Sequence, residues 1–72
     1  MVLRLDDINP DDVRVVIEWS KFVVGASFFV ACINTEKAIY QLKKISKDKG
    51  FRIECRTQIE NNRMGVRCWR MA

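Results

Sequence analysis

Phe51 to Met71, FRIECRTQIENNRMGVRCWRM, decides the fold, because this stretch doubles back on itself about Asn61-Asn62. Asparagine tolerates positive φ, and two in succession suit the central positions of a type I′ turn, whose twist matches that of the flanking strands. Fixing the turn fixes every cross-strand pair. Glu60 faces Arg63, Ile59 faces Met64, Gln58 faces Gly65, Thr57 faces Val66, Arg56 faces Arg67, Cys55 faces Cys68, Glu54 faces Trp69 and Ile53 faces Arg70. Successive side chains of a strand point to opposite faces, so this pairing sorts the hairpin by chemistry. One face carries Ile53, Cys55, Thr57, Ile59, Met64, Val66 and Cys68 and reads as core. The other carries Arg52, Glu54, Arg56, Gln58, Arg63, Arg67 and Trp69 and reads as a surface for anions. A one-residue slip would reverse both faces, so the register is strongly specified. Arg56 opposite Arg67 costs stability through like-charge repulsion, which points to an external partner for the two guanidinium groups.

Working upstream, Asn34 or Thr35 caps a helix whose first turn contains Glu36 and whose apolar stripe is Ala38, Ile39, Leu42 and Ile45. Its last turns carry Lys43, Lys44, Lys47 and Lys49 before Gly50, so cap, stripe and helix dipole agree. Before it, SFFVACI is a short apolar run between Gly25 and the cap, rich in aromatic and β-branched residues, and reads as a buried strand. If that strand lies antiparallel beside the second hairpin strand, the helix becomes a right-handed crossover covering one sheet face. The other face, with Arg52, Arg56, Arg67, Trp69 and either Phe28 or Phe29 according to register, is then open. The expected class is α+β: a small antiparallel or mixed sheet of three to four strands with one helix packed on one face, in the order (β)-β-α-β-β.

Local rules disagree over the N-terminal part. Asn9, Pro10, Asp11 and Asp12 make a helix start, with cap, proline and acids near the positive dipole end. Yet Val13 to Trp19, VRVVIEW, alternates, with Val13, Val15, Ile17 and Trp19 on one side, and its β-branched density favours a strand over a helix. Ser20 to Gly25 is then the turn into the next strand. This segment is also a candidate cover for the open sheet face, since Trp69 is large enough to favour burial. The whole reads as one domain over 1–72: an acidic leader over 1–12, a strand or short helix and turn over 13–24, and a β-α-β-β unit over 25–72.

The net charge of +4 is unevenly placed, because residues 1–20 sum to −3 and residues 21–72 to +7. A basic body behind an acidic leader suits a polyanion partner oriented by the protein's own N-terminus, the simpler reading being solubility alone. A 72-residue chain has a small core worth only a few kcal/mol, which makes a partner, or self-association as a homodimer, an expected source of further stability. Three cysteines, Cys32, Cys55 and Cys68, no signal peptide and no apolar run of the roughly 20 residues a membrane span needs indicate a cytoplasmic protein with free thiols and no membrane partner. Cys55 and Cys68 are placed to form a cross-strand disulfide if oxidised, but cytosolic thiols are normally reduced.

Catalysis has little support, so a non-enzyme is expected. The chain has no histidine, which removes the commonest general base and the Ser-His and Cys-His nucleophile arrangements. Separated cysteines without C-x₂-C spacing do not make a zinc site, and Asp6, Asp7, Asp11 and Asp12 lack EF-hand spacing and suit capping or solvation. Gly25, Gly50 and Gly65 are scattered at turns rather than gathered in a phosphate loop. No metal or cofactor is expected.

GASFFVACINT and GVRCWRM together resemble a pattern of small, largely uncharacterised proteins of tailed bacteriophages, in which a Gly-x-Ser-Phe-Phe-Val strand precedes a helix and a closing Gly-Val-Arg-x-Trp-Arg strand. The resemblance runs from Gly25 to Met71, about two-thirds of the chain, and departs at Ala31, where proline is usual, and Cys68, where valine is common. It implies a phage origin, and hence the host cytoplasm, more than an activity. From the residues, the expected function is non-catalytic nucleic-acid binding, DNA in preference to RNA. Arg52, Arg56, Arg63, Arg67, Lys43 and Lys47 would supply phosphate contacts, and Trp69 with Phe28 the stacking surfaces. The alternative is a protein-interaction module that docks on a host enzyme through a strand edge or the same sheet face.

Overall fold

Asn61 and Asn62 both have positive φ, 51° and 62°, in the computed structural model, which describes residues 7–72. The turn they make joins β2 (Ile53–Glu60) to β3 (Arg63–Arg70), and the register runs from Glu60 opposite Arg63 to Ile53 opposite Arg70, as the sequence pairing predicts. A third strand, β1 (Ser27–Ala31), pairs antiparallel with the other side of β3, with Phe28 opposite Cys68 and Val30 opposite Val66. The sheet order is therefore β1-β3-β2, and the last strand in the chain is the central one. Phe28, Val30, Cys55, Val66 and Cys68 share one face, while Phe29 falls with Arg67 on the other.

Helix α1 (Thr35–Lys49) connects β1 to β2 and packs on the first face. The Asn34 side chain accepts from the Lys37 N–H at 3.1 Å, and Gly50, at φ 76°, donates its N–H to the carbonyls of Lys47 and Ser46, a left-handed stop that glycine adopts without a Cβ clash. Ala38 and Leu42 are fully buried and share one core with Val30, Val66 and Cys68, and Ile39 and Ile45 pack at its margin. Ser46 joins the buried stripe, with its Oγ unpartnered among the described residues.

The core stops short of the hairpin turn. Ile59 is 73% and Met64 44% exposed, and Thr57 is exposed as well, although the sequence pattern assigns all three to the core face. They do lie on that face, but alternation reports only the direction of a side chain, not how far along the strand the helix reaches to cover it.

The N-terminal segment forms neither of the elements its local signals favour. Asn9 to Asp12 is a turn, closed by the Asp12 N–H to the Asn9 carbonyl at 3.1 Å, and Val15 makes one antiparallel bridge to Ile8 before a 3-10 turn at Trp19–Lys21. The alternating apolar residues are used for packing instead. Ile8 and Phe22 are buried and Val15, Ile17 and Trp19 lie against the core, whereas Val13, expected with them, is 67% exposed. A groove of about 220 Å³ lies between residues 15–18 and β1, and among the described residues no fourth strand pairs there. Its contacts hold it to the helix side: the Asn9 N–H donates to Gln41 Oε1 at 2.9 Å, Gln41 Nε2 donates to Asn9 Oδ1 at 2.7 Å, and Trp19 meets Phe22 and Phe28 edge-on. Among the described residues the opposite sheet face is uncovered, so residues 7–24 are not the cover for Trp69. Asp6 and the rest of the first six residues of the leader lie outside the described residues.

Candidate nucleic-acid interface

The residues expected to bind phosphate lie on two sides of the molecule. Arg56, Arg67 and Trp69 project from the open sheet face with Phe29, while Phe28, expected as a stacking surface, packs into the core against Trp19 and Phe22. Phe29 is the open-face aromatic because β1 pairs it with Arg67. Arg52 is exposed just before β2, where its carbonyl accepts from the Met71 N–H at 2.7 Å, and Arg63 is exposed beside the turn, at the start of β3 and the far end of the hairpin. Lys43 and Lys47 stand on the helix, with the sheet between them and the arginine face.

The opposed arginines are not bare. Arg67 donates Nε to Glu60 Oε2 at 2.9 Å, Nη2 to Glu60 Oε1 and Nη1 to Ser27 Oγ at 3.1 Å, and its guanidinium lies 5.8 Å from the centre of the Phe29 ring. Gln58 Nε2 adds a bond to Glu60 at 2.8 Å. Arg67, and then Gln58, hold the Glu60 carboxyl below its usual pKa, and the same carboxylate keeps Arg67 protonated beyond its ordinary range. Arg56 donates Nη2 to Glu54 Oε1 at 3.0 Å, two residues along the same face. The expected repulsion is thus answered inside the hairpin: Glu54 shares a face with Arg56 two residues along β2, and Glu60 reaches Arg67 diagonally across the strands, past the Gln58–Gly65 pair where glycine leaves room. Bidentate carboxylate pairing also occupies the fork a guanidinium would offer to phosphate.

Gly65 makes room on this face. A Cβ there would stand 2.7 Å from the tip of the Phe29 ring and 2.1 Å from the Val30 carbonyl oxygen. Beyond it, Trp69, Glu54, Arg56 and Met71 line a shallow depression of about 300 Å³. Arg70, outside the expected set, is structural: Nη1 donates to the Phe22 carbonyl at 2.9 Å and the guanidinium stacks 3.7 Å from the centre of the Phe51 ring.

The helix presents a different chemistry. At 100° per residue, Tyr40, Lys43, Lys44 and Lys47 follow the i, i+3, i+4, i+7 spacing of one helix face, turned away from Ala38 and Leu42. Tyr40 is 68% exposed, the three lysines are exposed, and none of the three has an ion-pair partner among the described residues. Glu36 and Asp48 lie on the same helix. Sequence reasoning selected Lys43 and Lys47 and passed over Tyr40 and Lys44, although their spacing was the signal that joins the four.

Among the described residues of the leader, Asp7, Asp11 and Asp12 serve the fold. Asp11 accepts from the N–H groups of Ile33 and Asn34, each at 2.9 Å, which holds its carboxyl below the usual pKa, while Asp12 reaches Lys37 at 3.4 Å and Asp7 pairs with Arg14 at 2.6 Å. Among the described residues, no group of three or more acidic, cysteine or histidine side chains could hold a metal ion, and no helix is long and apolar enough to cross a membrane. No family model, curated protein or solved structure matches the chain.

Proposed function

We propose that this is a small, non-catalytic nucleic-acid-binding protein whose phosphate contacts come from α1, through Lys43, Lys44 and Lys47 with Tyr40 among them. One observation carries the reading: these lysines have no carboxylate partner among the described residues, whereas Arg56 and Arg67 are already engaged by Glu54 and Glu60. Unneutralised cations on one rigid face release condensed counterions when they meet phosphates, and an exposed aromatic among them offers a surface to a base or sugar. DNA is preferred to RNA because the B-form major groove admits an α-helix, while the A-form groove is too deep and narrow. The resemblance to tailed-phage proteins supports a place in the host cytoplasm. Mobility shifts with single- and double-stranded DNA and RNA at two salt concentrations test the reading. Changing Lys43, Lys44 and Lys47 together to alanine should weaken binding and, on duplex DNA, reduce the salt slope by roughly 0.9 for each phosphate that the variant no longer neutralises, while Arg56→Ala with Arg67→Ala should leave that slope nearly unchanged. No binding by the parent at low salt, or a triple variant that binds as the parent does, refutes it.

The open sheet face supports a second reading, docking on a host protein. Phe29 and Trp69 are partly exposed there between internally neutralised ion pairs, a mixture of aromatic and satisfied polar groups suited to a protein interface. Such docking, or pairing with a second copy, should be far less sensitive to salt than phosphate binding.

A further inference from the structure

The backbone hydrogen bonds of β3 determine how Cys55 and Cys68 meet. Met64 accepts from the Cys32 N–H at 3.1 Å, and Arg70 both donates to the Ala26 carbonyl at 3.0 Å and accepts from the Gly25 N–H at 2.9 Å. The even-numbered residues of β3 therefore turn their backbone groups toward β1, and Cys68 with them. Toward β2, Cys68 and Cys55 form a non-hydrogen-bonded pair, the kind in which Cα atoms approach to roughly 4.5 Å and side chains lie closest. That spacing is within the Cα range a disulfide needs. Both thiols are free, and their Sγ atoms are 3.6 Å apart.

We propose that Cys55 and Cys68 are a reversible oxidation site, converted by a low-molecular-weight disulfide into a cross-strand disulfide without any change of register. The two sulfurs have distinct roles. Cys55 is half-buried, and the hydrogen bond with Cys68, helped by the charge of Lys43, draws its thiol pKa down, whereas Cys68 is fully buried and its thiol is pushed up by that same bond and by burial. The Cys55 thiolate attacks one sulfur of the external disulfide, forming a mixed disulfide and releasing one thiolate. Cys68 then gives up its proton and attacks Cys55 Sγ, the protein disulfide forms, and the second external thiolate leaves. Two protein thiols are oxidised by two electrons and the external disulfide is reduced to two thiols, which take up the two protons. Cys32 has no part in this, since it is buried at the end of β1 with its thiol pKa raised by burial.

Oxidation closes the loop from Cys55 to Cys68 around the turn, and a loop of that size, removed from the unfolded ensemble, should raise the thermal midpoint by roughly 10 °C or more. The test is to equilibrate the protein with oxidised glutathione, alkylate remaining thiols, and record intact mass, a peptide map and thermal melts. The expected product is a monomer carrying a single alkyl group, on Cys32, and lighter by two hydrogens than the singly alkylated reduced chain, linked between Cys55 and Cys68, with a higher midpoint and full reversal by dithiothreitol. Cys32→Ala should behave as the parent, and Cys55→Ala should form no internal link. No reaction with glutathione disulfide in excess, a persistent glutathione adduct on Cys55, a link through Cys32, or an oxidised form with an unchanged or lower midpoint would each overturn the proposal.

Discussion

Gly65→Ala is the sharpest test of the sheet. A Cβ at this position would lie 2.1 Å from the Val30 carbonyl oxygen and 2.9 Å from Ala31 Cα, both backbone atoms, and 2.7 Å from the Phe29 ring. Even close C···O contacts are about 3.3–3.6 Å, so the methyl group requires β1 to move more than an ångström from β3. No rotamer change relieves a backbone clash, which puts the cost near the top of the roughly 1–3 kcal/mol typical of overpacking. Stretching the neighbouring ladder bonds, each worth about 0.5–1.5 kcal/mol net, brings the expected loss to about 3–4 kcal/mol. A single core of this size supplies only about 3–5 kcal/mol, so the variant should be close to half unfolded at 25 °C. Urea titration followed by far-ultraviolet circular dichroism, with Trp19 and Trp69 fluorescence as a second probe, measures this directly. A loss under about 1 kcal/mol would refute the close approach of β1 to Gly65. Adding Phe29→Ala should not restore stability, and full rescue would place the obstruction in the ring rather than the backbone.

Leu42→Ala should cost roughly 3 kcal/mol, because Leu42 is wholly buried at the centre of the helix stripe, and Ile39→Ala should cost less because that side chain is only partly covered; urea midpoints rank the two. Asp11 and Glu60 have folded pKa values below their ordinary ones, so the stability they contribute is present above about pH 4 and is lost as pH falls through the folded values. Asp11→Asn should therefore flatten the acid limb of the stability profile, measured by urea midpoints between about pH 2 and 7. Arg67→Ala should lower the urea midpoint more than Arg56→Ala does, since Arg67 holds Glu60 at two oxygens and reaches Ser27, whereas Arg56 makes one exposed bond; equal midpoints for the two variants would contradict this.

Much of the fold was legible because several local rules met at the same residues. Asn61-Asn62 set the turn, alternation set the faces, and together they fixed the β2-β3 register, just as Asn34, the stripe through Leu42 and Gly50 fixed the helix. The path of Val13 to Trp19 was not legible, because its apolar spacing is satisfied by packing against the core and carries no information about whether a strand edge is within hydrogen-bonding reach. The exposure of Ile59 and Met64 escaped for a related reason: the period of a pattern says nothing of the extent of the element that covers it. At the candidate interface, sequence placed Arg56, Arg67, Glu54 and Glu60 on one face but could not tell repulsion from pairing, which depends on how far each side chain reaches. Lys43 and Lys47 read as helix-end cations from their position along the helix, while the i, i+3, i+4, i+7 spacing that joins them to Tyr40 and Lys44 was equally present in the sequence; what spacing does not give is that these lysines have no carboxylate partner among the described residues.

The position of β3 in the middle of the sheet has a consequence for synthesis. β1 and β2 never touch as neighbours in the ladder, and each finds its partner only in Arg63–Arg70. A nascent chain that has emerged as far as Glu60 holds a helix and two strands with no pairing between them, exposing the apolar side of Phe28 and Val30 to solvent. At about 5–20 residues per second, the interval before β3 follows is short, but any stall between residues 60 and 70 would leave two open edges at once. Cooperative folding therefore waits on β3, and a truncation that removes it should abolish the sheet rather than trim it.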